Sequence, residues 1–241
     1  MQTSKLIAAV VVLCAGGMVG VAHAQSAKAA VTIKPLIALS QSAYSDGATD
    51  GDTGWVDVLQ TQIKTANQKD LLFDVSMQCG IVTDTTVRSS GGSKSSSTAR
   101  ANIAVRVVVD GERMAEPTGS IDANGAAAEG VVFCDRVQTL AAEFAGLNCT
   151  ADLTTGAVDC LDAEELQLIL KTLNAHAFNF AMTDLTSGVH DIVVQARAQA
   201  SVDFDDDVAG GSMSGAEAFA GAGALVVEEV RLVKGAELIE L

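Results

Sequence analysis

Apolar and polar residues alternate strictly along several stretches of this chain. Between residues 102 and 110, a valine or isoleucine occupies every odd position from 103 to 109. Such alternation predicts a strand with one buried face and one solvated face. The Asp110-Gly111 pair that follows is a hairpin turn signal. Residues 71–79 and 192–202 show the same alternation and are predicted as two further strands.

Weaker strand candidates fill much of the remaining chain. They are residues 31–39, 55–63, 131–140, 178–182 and 224–233. Pro35 restricts the first candidate to a sheet edge, because proline cannot donate to a strand ladder. About eight short strands without an intervening β-α-β pattern predict an all-β fold. The expected architecture is a mainly antiparallel, jelly-roll-like β-sandwich.

One segment follows a helical period instead. Asp162 and Glu165 have the spacing of a capping box, in which aspartate replaces the usual serine or threonine. An apolar stripe then follows at the spacing i, i+3, i+4, i+7: Leu166, Ile169, Leu170 and Leu173. The sequence therefore predicts one short amphipathic helix near residues 162–174, packed across an open end of the sandwich.

The first 24 residues form a predicted export signal. Lys5 precedes an apolar run, and Ala22-His23-Ala24 supplies the small residues of a cleavage site. An uncleaved membrane anchor and a lipoprotein modified at Cys14 are the two alternatives. The run contains three glycines and ends in a cleavage site, which favours a signal peptide over an anchor, and Leu13 before Cys14 disfavours lipidation.

The chain after the signal is predicted to be a single domain, residues 25–241, with three long surface loops. The expected loops are residues 40–54, 89–98 and 205–223, which are rich in Gly, Ser, Asp or Ala. The predicted location is secreted or periplasmic, in a bacterium, and no transmembrane segment is expected after cleavage.

Charge narrows the classes of partner. The chain has 15 basic and 30 acidic residues, a formal charge of −15. Nucleic acids and anionic membranes are polyanions, so this charge disfavours both as partners.

Four cysteines remain after the signal is removed. An even number in an exported chain predicts two disulfides, and three connectivities are open. Cys149–Cys160 would close a short loop, and Cys79–Cys134 would join two strands; this connectivity is the favoured one.

No catalytic motif occurs in the sequence. A nucleophile elbow, a phosphate-binding glycine loop and the zinc motif H-E-x-x-H are all absent. Only His176 and His190 follow the signal, and structural roles are expected for both. The protein is therefore predicted not to be an enzyme, with an enzyme of unfamiliar site as an alternative.

Calcium is the best-supported cofactor. The main candidate ligands are the carboxylates of one loop, followed by a second cluster: Asp46, Asp50 and Asp52, then Asp205, Asp206 and Asp207. Carboxylate oxygens on flexible loops suit a hard cation. The loop between Asp152 and Asp159 is a third candidate, and ordinary acidic turns are the alternative for all three.

The termini suggest how the protein could assemble. An apolar strand at residues 31–39 and the segment 237–241 could each complete the open sheet edge of a neighbouring copy. The alternative is that each pairs within its own sheet. The function expected from the sequence is a structural or adhesive subunit of the cell envelope or exterior. A soluble module that binds a glycan or a surface protein, with calcium as an optional cofactor, is the alternative.

Overall fold

The computed structural model describes residues 28–44, 50–89, 94–116, 130–143, 149–160, 164–206 and 213–232. The predicted signal peptide, the segment 237–241, Asp46 and Asp207 lie outside these ranges. Every regular element in the described ranges is a β-strand.

Thirteen strands occur in the described residues. In chain order they are β1 (Ala29–Lys34), β2 (Leu39–Tyr44), β3 (Gly51–Asp52), β4 (Val56–Thr65), β5 (Lys69–Ser89), β6 (Lys94–Val109), β7 (Arg113–Met114), β8 (Val131–Glu143), β9 (Cys149–Ala151), β10 (Val158–Cys160), β11 (Glu164–Leu185), β12 (Gly188–Asp206) and β13 (Met213–Val230).

The strands form two main antiparallel sheets. In the first sheet the order is β1-β13-β5-β11, and β2 lies beside β1 along the same edge of β13. In the second the order is β3-β12-β6-β7, with β4 also paired to β12 and β8 also paired to β6. The strands β9 and β10 form a separate small hairpin. The predicted all-β, antiparallel sandwich is confirmed.

Alternating side chains of both sheets fill one core. Across the central β6–β12 pair, Val105 lies opposite Ala196 and Ile103 opposite Ala198, and all four are fully buried. The two sheets contribute to a single cluster of buried apolar residues. The strand that ends in the predicted hairpin signal turns at Asp110 and Gly111, both with positive φ, as a tight turn requires.

A disulfide joins the two sheets. Cys79 of β5 and Cys134 of β8 form it, with their Cα atoms 6.4 Å apart. Cys79 is buried among the core side chains, as its position on the apolar face predicts. In the β9–β10 hairpin, Cys149 and Cys160 lie directly opposite each other in the ladder. Their disulfide stays a prediction, and the backbone register is compatible with it.

The predicted helix near residues 162–174 is wrong, because residues 164–174 form the first half of β11. The leucines of this segment also fit a strand, since Leu166, Leu168 and Leu170 alternate. These three lie opposite Val87, Thr85 and Thr83 of β5, respectively. Pairing of β11 continues along nearly the whole of β5, so tertiary pairing overrides the local helical pattern.

The predicted loops are shorter than the sequence indicated. The strands β2 and β3 extend into residues 40–54, β6 begins at Lys94 within residues 89–98, and β12 and β13 enter residues 205–223 from either side. Serine, alanine and glycine therefore occupy strand positions here. Ser97 and Ser214, for example, are buried and hydrogen-bonded to each other where the two sheets meet.

Candidate functional site

The longest strand of the protein lies at the edge of the first sheet. Among the described residues, β11 is paired with β5 along one side, and its other side has only one backbone bridge. That bridge joins Glu116 and Ala181 through two hydrogen bonds of 2.8 and 2.7 Å, and Arg113 donates to the carbonyl of Thr183 nearby. The stretch 166–179 therefore has no backbone partner on its outer side within the described part of the chain.

Apolar side chains on both faces of this stretch are exposed. Leu166, Leu168 and Leu170 are 40–45% exposed on the face that points toward the second sheet. Ile169 and Leu173 are 47% and 56% exposed on the opposite face. Edge strands of natural proteins usually carry charges, prolines or bulges that block pairing with another chain. We call residues 166–179 with these side chains the β11 edge.

The β11 edge lacks the negative charge of the rest of the protein. No Asp or Glu occurs between Glu165 and Asp184, although the whole chain has 30 acidic residues. Lys171 and His176 are its only ionisable side chains, and no Gly or Pro interrupts the strand. Because it has no acidic residue, Gly or Pro, the β11 edge is better suited to pairing with another strand than to exposure to water.

In the described ranges, the sandwich is closed along one side and open along the other. On the closed side, β1 approaches β4 of the second sheet: Thr32 donates to the carbonyl of Gln60 at 2.8 Å, and Lys34 donates to that of Val58 at 3.2 Å. On the open side, β8 lies over β5 and leaves the first half of β11 overhanging.

A cleft of about 390 Å³ separates β8 from β11 on the open side. Arg136 reaches across it and donates to Thr172 Oγ1 at 2.9 Å, while His176 and the Cys79–Cys134 disulfide line the wall. The other terminal nitrogen of Arg136, Nη1, is buried without a hydrogen-bond partner. The cleft is thus a polar recess beneath an apolar strand.

Of the main calcium candidates, Asp46 lies outside the described residues, and Asp50 and Asp52 line the same cavity. Asp52 forms a salt bridge with Arg197 and also accepts from Gly54 N at 2.8 Å and Gln199 Nε2 at 3.1 Å. The hydrogen bond from Arg197 is the main reason that the pKa of Asp52 lies far below its ordinary value. Asp50 lines an open cavity of about 330 Å³ beside this pair.

The other acidic candidates have equally local roles or are not described. Asp152 accepts from Thr154 N and from the Thr155 hydroxyl at 2.8 and 2.7 Å, and these bonds, led by the one from Thr155, lower its pKa. It therefore shapes the β9–β10 turn. The backbone of Asp205 and Asp206 lies in β12. In the described ranges, no three His, Cys, Asp or Glu side chains lie close enough to hold a metal ion. Calcium binding stays a prediction.

A buried histidine forms the most organised polar cluster. His190 Nδ1 lies 2.8 Å from Asp110 Oδ2, and its Nε2 lies 2.9 Å from the Thr186 carbonyl and 3.3 Å from Thr65 Oγ1. Burial is the largest influence and lowers the pKa of His190, but the bonds to Asp110 and Thr186 together raise it above its ordinary value. Both ring nitrogens face acceptors, as in an imidazolium ion.

This cluster resembles a carboxylate–histidine–hydroxyl triad in composition only. Thr65 is 1% exposed, and its hydroxyl donates to the Thr186 carbonyl at 2.7 Å. A nucleophile has to reach a substrate carbonyl, which this buried hydroxyl cannot do. The cluster instead ties β4, the β6–β7 turn and the start of β12 together. His176, by contrast, is exposed on β11.

The β11 edge is a candidate functional feature that sequence reasoning missed. The signal lies in residues 166–182, which are mostly apolar and contain no acidic residue, Gly or Pro. The leucines of this segment fit the helical spacing as well as the strand alternation. Because the segment was interpreted as a helix, the edge strand was not predicted.

The fold and these surfaces define a two-sheet, antiparallel β-sandwich with one open side. Within the described residues, no helix is long and apolar enough to cross a membrane. No protein-family model matches the chain, and no curated protein matches it either.

Two solved structures from infectious bursal disease virus, of the Gx and Gt strains, are aligned over 88% of this chain at 9% and 10% identity. Their TM-scores are 0.17 and 0.15, and the chain spans 46% and 48% of their lengths.

Proposed function

We propose that this protein is an exported, non-catalytic β-sandwich that serves as a structural or adhesive subunit of the cell envelope or exterior. The observation that carries the proposal is the β11 edge. A monomer that remains alone in water gains nothing from a long edge strand without acidic residues and with apolar side chains on both faces. A subunit that adds strands to a neighbouring molecule requires such an edge.

Two features support the proposal that the protein is exported. The predicted signal peptide ends at Ala24, and an oxidised Cys79–Cys134 pair is typical of proteins outside the cytoplasm. The strand β1, which the sequence suggested as a donor strand, pairs instead with β13 of its own sheet. The proposed assembly therefore uses the β11 edge rather than the N-terminal strand.

Imaging of the mature protein tests the proposal. Residues 25–241 would be purified under oxidising conditions and examined by size-exclusion chromatography and negative-stain electron microscopy. The proposal predicts ordered oligomers of two or more chains. The variant Leu168→Lys places a charge on the β11 edge and should reduce assembly, whereas Leu153→Lys changes a 96% exposed leucine in the β9–β10 turn and should not. A wild-type protein that stays monomeric would refute the proposed function.

A second function is favoured by the outer face of the second sheet. The cavity beside Asp50 and Asp52 is lined by Arg100, Asn102 and Gln199, which together offer charged and amide groups to a small polar ligand. In this alternative, the protein is a soluble module that binds a glycan or a surface protein, with calcium as an optional cofactor.

Binding assays separate the two functions. The module predicts that a monomeric wild-type protein binds a glycan array and that Arg100→Ala reduces the signal. A melting-temperature comparison with and without EGTA tests the calcium requirement, because a bound ion raises the melting temperature of the folded state. An unchanged melting temperature would count against a structural calcium ion.

A further inference from the structure

We infer that the occupant of the β11 edge is the same edge of a second copy. Two β11 strands would pair antiparallel about a two-fold axis, and the two first sheets would become one continuous sheet. This inference rests on the proposed function and adds to it the partner, the pairing strand and the symmetry.

The length of the edge favours a copy of itself as partner. The stretch 166–179 is about 45 Å long at roughly 3.3 Å per residue. The other edge strands of the described sheets are shorter: β1 has 6 residues, β4 has 10 and β8 has 13. They also carry blocking features, since Pro35 follows β1, Asp57 lies in β4, and Asp135 and Glu143 lie in β8.

Charge also favours self-pairing at this place. Two molecules with a formal charge of −15 repel each other over most of their surfaces. The β11 edge has no carboxylate and a single lysine, so contact here brings few like charges together. A basic partner would instead be attracted to the acidic surfaces elsewhere on the molecule.

A two-fold axis through Thr172 gives compatible neighbours. Residues directly opposite in an antiparallel pair lie on the same face. In this register, Leu166 lies opposite Phe178 of the second copy, and Leu168 lies opposite its His176. Lys171 lies opposite Leu173, so the two lysines do not face each other. Isologous pairing of this kind closes after two subunits.

Cysteine cross-linking tests the pairing and its register. Thr172 of the two copies would lie on the axis with Cα atoms about 5 Å apart, within the reach of a disulfide. Oxidation of Thr172→Cys should therefore give a covalent dimer in high yield. Leu153→Cys, in the distant turn, and the wild-type protein are the controls and should give little dimer. An equal mixture of Lys171→Cys and Leu173→Cys proteins should form the mixed dimer, which covers the case in which the Thr172 variant misfolds.

The outcomes separate this inference from the proposed function. If the wild-type protein assembles but neither the Thr172 variant nor the mixture cross-links above the controls, the two-fold pairing is wrong and the subunit function stands. If removal of residues 233–241 abolishes assembly, the C-terminal segment is the occupant and the inference is overturned. If the wild-type protein is monomeric, both fail together. Selective cross-linking through Thr172 or through the mixed pair supports the inference.

Discussion

Single polar side chains hold the two sheets in register at positions that apolar packing alone would not define. The Gln138 amide of β8 is buried; it accepts from Thr83 at 2.7 Å and donates to Thr85 and to the Leu168 carbonyl at 2.6 and 2.7 Å. A buried amide with three partners fixes how one strand lies over another, because any shift would leave polar groups unsatisfied. The overhang of β11 follows from this fixed placement of β8 over β5.

The His190 cluster makes stability depend on pH. Because the folded-state pKa of His190 is raised, its contribution is fully present below the ordinary histidine pKa and is lost as the pH rises through the folded value. We expect the free energy of unfolding of the wild-type protein to fall between mildly acidic and mildly alkaline pH. The variant His190→Gln should lose about 1–3 kcal/mol at acidic pH, the range for a buried hydrogen-bonded charge.

Urea unfolding at a series of pH values measures this effect. The exposed His176 offers a matched control, since His176→Gln removes a histidine that is not buried. The expected result is a flattened pH profile for His190→Gln and a wild-type profile for the control. If the free energy of unfolding of His190→Gln falls with pH as it does in the wild type, other groups cause the pH dependence.

At the scale of elements, the sequence predicted strands well where burial alternates. The β6 and β12 strands follow strict alternation, and both lie in the centre of a sheet where one face is buried. The prediction failed for β11, because an overhanging edge strand has no buried face to impose a period on residues 166–179. The length of β11 and its pairing with β5 depend on residues far away in the sequence, so a short stretch of sequence does not reveal them. The same holds for serine and glycine positions in β13, which read as a loop.

The Cys79–Cys134 disulfide should contribute strongly to the packing of β5 against β8 of the other sheet. It closes a loop with a sequence separation of 55 residues. Restriction of the unfolded chain by a loop of that size is worth about 4 kcal/mol. In urea unfolding, the free energy of unfolding of the double variant Cys79→Ala/Cys134→Ala should be lower than that of the wild type by about this amount. A loss below about 1 kcal/mol would mean that the bridge restricts the unfolded chain little.

The β11 edge should tolerate charge in the monomer but not in the assembly. Leu170 is 43% exposed, so Leu170→Lys should change the free energy of unfolding by no more than about 0.5 kcal/mol. The same substitution puts a charge in place of an apolar side chain on the paired edge, where the charge would lose part of its water, and should weaken association about tenfold or more. Urea unfolding and analytical ultracentrifugation, measured on the same samples, check the two effects separately.

At the scale of the whole molecule, the strong negative charge opposes contact between copies, whereas the β11 edge, which has no acidic residue, favours it. The formal charge of −15 keeps copies apart through the acidic surfaces, while the open side of the sandwich offers a strand to pair with. The sequence allowed us to expect an exported location and an acidic character. It did not allow us to predict which side of the sandwich is open, because that depends on how far β8 covers β5 and β11.

Salt should therefore promote assembly. Screening reduces repulsion between the acidic surfaces, whereas strand pairing and apolar contact at the β11 edge are little affected. We expect the association constant of the mature protein to rise as sodium chloride is increased from low to moderate ionic strength. Sedimentation velocity at fixed protein concentration measures the trend. An association that weakens with salt would indicate an interface of opposite charges instead.

The most direct test of the central claim is the mass of the mature protein in solution. Light scattering after size exclusion, carried out on residues 25–241 over a range of micromolar concentrations, gives that mass without reference to shape. Self-assembly through the β11 edge predicts a mass of two or more chains that increases with concentration and returns toward one chain in Leu170→Lys. A wild-type mass of one chain at every concentration would contradict the account.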